Sequence, residues 1–193
     1  MQFLSFWAIN DALDERALCA QLEQLKEAGL DGVVFHPRNY PDKPAYMSQA
    51  YLDVVSAVIL HAKSLGMSFW IYDENGWPSG TAGGLVLQRK PDLRCQWVEW
   101  TATPQGGHEA VIRSKPAVSS LDREATDLFI EITHEGYRKG LDPEAFAYVT
   151  GFFTDEVAFL DGRSVSVDRG AVPWSDRLPD MYRERYCEEL EPL

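Results

Sequence analysis

Two short apolar runs in this chain each end in an aspartate followed by a glutamate. The first covers residues 69–72 and leads into Asp73 and Glu74, and the second leads into Asp155 and Glu156. Burying adjacent carboxylates at the end of a strand is costly unless they bind something or accept hydrogen bonds. The repeated pattern therefore predicts strands whose ends carry either a functional site or the hydrogen bonds of a turn or helix cap.

A glycine-rich segment, residues 75–84, follows Glu74 and contains Trp77. A phosphate-binding loop would need Gly-Lys-Ser/Thr, but no lysine lies between Lys63 and Lys90, and the preceding carboxylates would repel phosphate. Carboxylates can instead bind sugar hydroxyls, and an indole face can stack on the C–H face of a sugar. The segment thus predicts a carbohydrate site in which Trp77 is a platform for the sugar or a lid on the sheet rim.

Composition excludes several classes of partner. The formal net charge of −12 and a pI near 4.7 argue against nucleic acid and anionic membranes. No apolar run approaches the roughly 18 residues of a membrane span. The first residues lack a basic leader and a small-residue cleavage site, so no signal peptide is expected.

The cysteines and histidines do not form a recognisable metal or redox motif. Cys19, Cys95 and Cys187 lie far apart and contain no Cys-x-x-Cys pair, so zinc and disulfide-exchange motifs are not expected. His36 has no His-x-His partner, which argues against a metal-dependent hydrolase of the amidohydrolase kind.

Apolar runs alternate with helical patterns along the chain. Strands are predicted at residues 3–10, 32–36, 68–72 and 149–154. Helical periodicity follows the first, second and fourth strands and also precedes the fourth, from Asp122. Alternation of period two at about residues 95–115 indicates a β-hairpin inserted after the third strand.

This rhythm predicts an α/β fold with a parallel sheet. A doubly wound sheet and a (β/α)₈ TIM barrel both fit four βα units. Candidate functional residues follow four different strands: Asn10, Arg38, Glu74 and Glu156. That distribution favours the barrel, whose sites lie at the carboxyl ends of its strands. A complete barrel needs about 250 residues, so residues 1–193 are expected to be the N-terminal half of a TIM-barrel catalytic domain.

A partial barrel has a consequence for association. Its first and fourth strands would each have an open edge, and part of its apolar inner face would be uncovered. Such surfaces promote pairing between chains, so self-association through the open sheet edges is expected.

The chain resembles the catalytic barrel of glycoside hydrolase family 106, the α-L-rhamnosidases, and related large bacterial glycosidases. The likeness covers most of the chain outside the hairpin. It rests on residues 72–80, 82–84 and 152–156, and on the linking segments 34–38, 46–48, 62–67, 122–137 and 173–175. Val157 stands where proline is expected in such proteins.

The resemblance implies hydrolysis of terminal sugars from plant or complex polysaccharides, with an oligosaccharide or polysaccharide as substrate and inversion at the anomeric carbon. It also implies an active-site calcium that contacts sugar hydroxyls, although its ligands are not assigned. Members of the family are longer, with a complete barrel and accessory β-domains, and are periplasmic or secreted in bacteria.

Glycoside cleavage requires an acid for the leaving oxygen and a carboxylate that activates water or attacks carbon. We expect Glu156 to be the general acid, shielded from water by Phe152, Phe153 and Phe159. Glu74 is expected to act as base or as a ligand of sugar hydroxyls. A helix cap or a salt bridge is the structural alternative for both glutamates.

The remaining candidates would bind substrate: Asp73, Trp77, Asp155, Arg38, Asn10 and Trp7. Arg38 would hold an acidic group of the substrate or, equally, pair with Asp73. Trp7 would line the pocket or belong to the core. The alternative function from another class is a carbohydrate-binding or inactive remnant with no turnover.

Overall fold

The computed structural model describes residues 2–157, 159 and 170–190, which form two compact units. The first unit comprises Met1–Gly83 with Phe129–Glu156, and the second comprises Gly84–Leu128 with Val157–Leu193. In chain order the elements are β1 (Leu4–Ile9), α1 (Glu15–Glu27), β2 (Gly32–Pro37), α2 (Gln49–Ser64), β3 (Ser68–Tyr72), α3 (Leu85–Arg89), β4 (Arg94–Ala102), β5 (His108–Val118), α4 (Arg123–Ile132), α5 (His134–Gly140), α6 (Pro143–Tyr148), β6 (Val149–Phe153), β7 (Val172–Trp174) and α7 (Leu178–Tyr186).

The first unit is built on a parallel sheet with strand order β1-β2-β3-β6. All three neighbouring pairs are parallel. This confirms the prediction of an α/β fold whose four predicted strands form a parallel sheet. The four strands end at the same side, and we call that side the carboxyl edge.

Helices cover one side of this sheet. Asp14 caps α1 by accepting a hydrogen bond from the N–H of Ala17, and Ser48 caps α2 by accepting from Tyr51. Leu22 of α1 and Ile59 of α2 have no exposed surface. The helices therefore bury the apolar stripe that their periodicity predicted, and the core of the unit lies on this side.

The opposite side of the sheet carries a second set of aromatic side chains. Phe6 of β1 and Phe153 of β6 meet edge to face with ring centroids 4.9 Å apart. Because neighbouring strands lie about 4.8 Å apart, this contact spans three strand spacings and indicates that the sheet curves towards this side. A Cβ on Gly151 would lie 2.7 Å from the ring of Trp70, so only glycine allows that ring to pack there.

The second unit contains an antiparallel sheet with order β5-β4-β7. Its small core consists of Cys95, Trp97 and Ala171. The predicted hairpin at 95–115 is confirmed as β4 and β5, with slightly wider bounds. The short strand β7 was not predicted, because it has three residues and contains Pro173, which lacks a ladder N–H.

The helical pattern predicted from Asp122 is divided in the structure. Helix α4 ends at Ile132 and α5 begins at His134. The side chain of Thr133 donates to the carbonyl of Phe129 at 2.7 Å, a local bond that competes with regular helix geometry. Within the described ranges, no helix is long and apolar enough to cross a membrane.

We expect the chain to self-associate through β1 and β6. Each is the last strand of its sheet on one side among the described residues, and Phe3 and Phe6 are each more than half exposed. Light scattering after size exclusion should therefore give a mass above that of one chain. Phe6→Lys should shift the population towards monomer, whereas Ala20→Lys on the exposed surface of α1 should not. A stable monomer with a sharp cooperative melt in the parent chain would contradict this prediction.

Candidate functional site

Asp73 is fully buried directly after β3, and its carboxylate accepts several hydrogen bonds. The hydroxyl of Ser79 donates to Oδ1 at 2.6 Å and that of Thr154 donates to Oδ2 at 2.6 Å. His134 Nε2 lies 3.3 Å from the same Oδ2. These contacts correct the prediction that Asp73 binds substrate, because its oxygens are used inside the protein. They also make His134, and not Arg38, the neighbour of its Oδ2.

Ser79 links this carboxylate to the end of β6. Its backbone N–H donates to the carbonyl of Asp155, and its hydroxyl oxygen accepts from the N–H of Asp155, both at 3.0 Å. Since the same hydroxyl donates to Asp73, one serine connects the loop after β3 with the residues after β6. The two Asp-Glu segments are therefore held side by side at the carboxyl edge.

Glu74 has no exposed surface and is surrounded by backbone N–H groups of the loop that follows it. Oε2 accepts from Gly80 at 3.1 Å, Thr81 at 2.7 Å and Ala82 at 2.9 Å. Oε1 accepts from Asn75 at 3.0 Å and from Gly83. Burial raises the pKa of Glu74, and the surrounding N–H donors act in the opposite direction.

The glycines explain how one carboxylate can collect so many donors. Gly80, Ala82 and Gly83 have φ values of 123°, 52° and 63°, in the region that glycine adopts most readily. Backbone of this kind turns successive N–H groups towards one point and forms an anion-binding nest. The loop does bind an anion, as glycine loops for phosphate do, but that anion is Glu74.

The predicted catalytic role of Glu74 is corrected by this geometry. A base or a ligand of sugar hydroxyls must reach the substrate, and Glu74 has neither an exposed atom nor an oxygen without donors. Its function is to fix the conformation of residues 75–83. The sequence alone did not distinguish this structural role of Glu74 from a catalytic one, because the groups that donate to its carboxylate are backbone N–H groups.

Tyr72 and His36 form a stacked pair where β3 and β2 end. Their ring centroids are 3.6 Å apart and their planes differ by 17°. The hydroxyl of Tyr72 donates to Oδ2 of Asp155 at 3.2 Å. His36 Nε2 lies 2.9 Å from the carbonyl oxygen of Gly76, so this nitrogen carries the proton and donates.

The pKa values of His36 and Tyr72 are both shifted by burial and by neighbouring charges, among them that of Asp155. Burial lowers the pKa of His36, and the charge of Arg38 lowers it further, while the hydrogen bond to Gly76 and the charge of Asp155 oppose these effects. Burial and Asp155 raise the pKa of Tyr72. At neutral pH the phenol is therefore protonated and acts as a donor to Asp155. Neither His36 nor Tyr72 was predicted as a site residue, although both end strands at this edge.

Arg38 and Trp77 lie at the same edge. The guanidinium carbon of Arg38 is 5.5 Å from the ring centroid of Trp77, a cation–π distance. Arg38 is exposed, and Trp77 is 38% exposed. Of the predicted binding residues, Arg38, Trp77 and Asp155 are thus found together, and we call the set Arg38, Tyr72, Trp77 and Asp155 the edge cluster.

Glu156 follows Asp155 directly and is exposed. Its φ of 47° places a residue with a Cβ in the left-handed region, which costs about 1–2 kcal/mol. No hydrogen bond or ion pair involves its side chain in the described part of the chain. The expected shielding from water is not found, because Glu156 is exposed, and the rings of Phe152 and Phe153 pack on His134 and Phe6.

Trp7 of β1 and Asn10, which directly follows this strand, both have structural contacts. Trp7 is 6% exposed, its Nε1 donates to Gln21 of α1 at 2.9 Å, and its ring packs on Phe35. This corrects the prediction that Trp7 lines a pocket, since it lies on the side of the sheet that the helices cover. Asn10 accepts hydrogen bonds from the backbone and side-chain nitrogens of Asn39, both at 3.2 Å, and so holds the loop after β2.

The calcium that the resemblance implies has no cluster of acidic, histidine or cysteine side chains among the described residues. Among them no group of three or more His, Cys, Asp or Glu side chains is arranged to hold a metal ion. At the carboxyl edge, the oxygens of Asp73 and Glu74 already accept protein donors, which leaves Asp155 and Glu156. Calcium therefore stays an expectation from the resemblance alone.

Replacing Glu74 tests its structural role. Glu74→Gln removes the charge and one acceptor oxygen and turns an NH₂ group towards N–H donors, so the free energy of unfolding should fall by about 3 kcal/mol. Urea unfolding followed by circular dichroism measures it. Glu27→Gln, on exposed α1 surface, is the matched control and should stay within about 0.5 kcal/mol of the parent. A loss below about 1 kcal/mol for Glu74→Gln would contradict the role.

Buried His36 should make stability depend on pH. Its folded-state pKa lies below the ordinary value of 6.5, so the folded state binds a proton less readily than the unfolded chain. The stability is therefore full above a pH of about 6.5 and falls as the pH drops towards the folded-state pKa. His36→Phe should flatten this dependence in urea unfolding between about pH 8 and 5, whereas exposed His108→Phe should not. An unchanged pH profile for His36→Phe would contradict the assignment.

Comparison with known proteins adds no family assignment. A scan against models of protein families gives no match to this chain, and a search of curated proteins gives none either. Function therefore has to be argued from the chemistry of the carboxyl edge and from the resemblance in sequence.

Proposed function

We propose that the carboxyl edge binds a sugar and that the chain belongs to a glycoside hydrolase of the α-L-rhamnosidase type. The observation that carries this proposal is Glu156. It is a solvent-facing acid without a partner among the described residues, and a left-handed backbone conformation presents it at a strand end. Backbone strain of this kind is concentrated at functional sites. The four parallel strands would form the first half of a (β/α)₈ barrel, whose sites lie at this edge.

The edge cluster supplies the contacts that a sugar needs. Part of the indole of Trp77 faces solvent and offers a stacking surface. Asp155 is half-buried and held by the hydroxyl of Tyr72, so its carboxylate is oriented for accepting bonds from sugar hydroxyls. The orientation is set before the ligand arrives, which lowers the entropy lost on binding.

In the proposed reaction Glu156 is the general acid. Its proton moves to the glycosidic oxygen as the bond from that oxygen to the anomeric carbon breaks. Water adds to the anomeric carbon and gives its proton to a second carboxylate, which in an inverting enzyme stands about 6.5–9.5 Å from the acid. Glu74 does not serve as this base because the loop occupies both of its oxygens.

Carbohydrate binding without turnover is the second candidate, and the environment of Glu74 favours it. Two carboxylates are needed for hydrolysis, yet among the described residues Glu156 has no identified facing base. A chain with this edge alone would bind a sugar and leave its glycosidic bond intact.

Hydrolysis and binding of p-nitrophenyl α-L-rhamnoside separate the two candidates. If nitrophenol is released, Glu156→Gln should lower kcat by about 10²–10⁴-fold, because proton donation to the leaving group is lost. The loss should be much smaller with a 2,4-dinitrophenyl leaving group, which needs little protonation. Glu27→Gln should leave both rates unchanged.

Each other outcome has a clear meaning. Equal losses with both leaving groups would remove Glu156 from the role of acid. Saturable binding of the rhamnoside without release of nitrophenol would support the binding candidate. The absence of both binding and release in folded protein would contradict the sugar site itself.

A further inference from the structure

Arg38 is an exposed arginine without a carboxylate partner in the described part of the chain. This is notable because the chain contains 30 acidic and 18 basic residues, and Asp73, the partner predicted from sequence, pairs with His134 instead. The direct contact that the structure gives Arg38 is with the ring of Trp77. Its positive charge is therefore not neutralised by an ion pair within the described residues.

The contact with Trp77 still allows Arg38 to bind a carboxylate. The guanidinium has five N–H donors, and a cation–π contact with one ring does not use all of them. Two of these N–H groups match the two oxygens of a carboxylate. Because the ring already restricts the side chain, less rotamer entropy is lost when such a ligand binds.

The surroundings of Arg38 indicate what else the ligand carries. Arg38 lies two residues after His36, whose ring stacks on Tyr72, and the hydroxyl of Tyr72 donates to Asp155. Asp155 and exposed Glu156 can accept hydrogen bonds from hydroxyls but would repel a simple anion. A ligand with hydroxyls and one carboxylate satisfies both kinds of group.

We infer that the saccharide bound at the carboxyl edge includes an acidic residue, as a hexuronate next to the terminal sugar would be, and that Arg38 binds its carboxylate. The inference rests on the proposed sugar site and specifies its substrate class. A neutral sugar would leave the charge of Arg38 without a partner. A contrasting role for Arg38 is to hold Trp77 in place, and that role would affect acidic and neutral sugars alike.

The test compares two sugars that differ only at C6. Methyl α-D-galactopyranosiduronate has a carboxylate where methyl α-D-galactopyranoside has a hydroxymethyl group, and the corresponding glucose pair covers the other common ring configuration. Titrations of the full chain, followed by the indole N–H signals in NMR, give the dissociation constants. The uronate of at least one pair should bind about tenfold or more tightly than its neutral partner.

Variants assign that preference to Arg38. Arg38→Gln should abolish the preference for the uronate, because it should lower the affinity for the uronate much more than that for the neutral sugar. Arg38→Lys should retain only part of the preference, because an ammonium keeps the charge but lacks the bidentate geometry. Arg16→Gln removes the same charge from exposed surface on α1 and should change nothing. Added salt should reduce the preference of the parent chain.

The possible failures are distinguishable. Equal affinity for the acidic and neutral members of both pairs would overturn the inference. It would not contradict the proposed sugar site. Equal loss of affinity for both members in Arg38→Gln would also overturn it, because Arg38 would then act by holding Trp77. If folded protein binds none of the four sugars, nor the rhamnoside, the proposed function fails together with the inference.

Discussion

The carboxyl edge of this protein depends on one buried carboxylate, that of Glu74. Its five backbone donors span Asn75 to Gly83, so a single side chain fixes a whole loop. Burying a carboxylate is costly, and charge-assisted bonds to N–H groups are what offset that cost. The conformation of this loop in turn sets the positions of its side chains and carbonyl groups. Trp77 contacts Arg38, the carbonyl of Gly76 orients His36, and Ser79 joins the two strand ends.

The two Asp-Glu pairs have the same sequence, but their glutamates differ in burial. After Glu74 the sequence supplies glycines that turn N–H groups inwards, and after Glu156 it continues with Val-Ala-Phe-Leu. The first glutamate is consequently buried and the second is exposed. The carboxylates of the first pair accept hydrogen bonds inside the protein, whereas Glu156 of the second pair faces solvent.

The sequence was sufficient for the parts of the fold that follow from side-chain periodicity. The four parallel strands and the hairpin are of this kind. The sequence did not show whether Trp7 belongs to the core or lines a pocket. Both sides of this sheet carry aromatic residues, and periodicity does not say which side the helices cover. Nor did the sequence show that Glu74 is buried and Glu156 exposed, because the donors that surround Glu74 are backbone N–H groups. The contact between His134 and Asp73 depends on tertiary packing and has no local pattern.

A lone arginine in an acidic protein raises the question of whether it can attract an anion at all. The net charge of −12 opposes the approach of any anionic ligand. Exposed charges farther away than about 8 Å are, however, largely screened at physiological ionic strength, so the balance at the edge is set by its nearest groups. The carboxylates of buried Asp73 and Glu74 accept hydrogen bonds from hydroxyls and backbone N–H groups, and that of Asp155 accepts one from Tyr72. Asp155 and Glu156 would still repel a simple anion, so in the inferred role Arg38 has to hold the carboxylate of a ligand whose hydroxyls bind to those acids. Short-range selection of an acidic sugar is thus compatible with a strongly acidic protein.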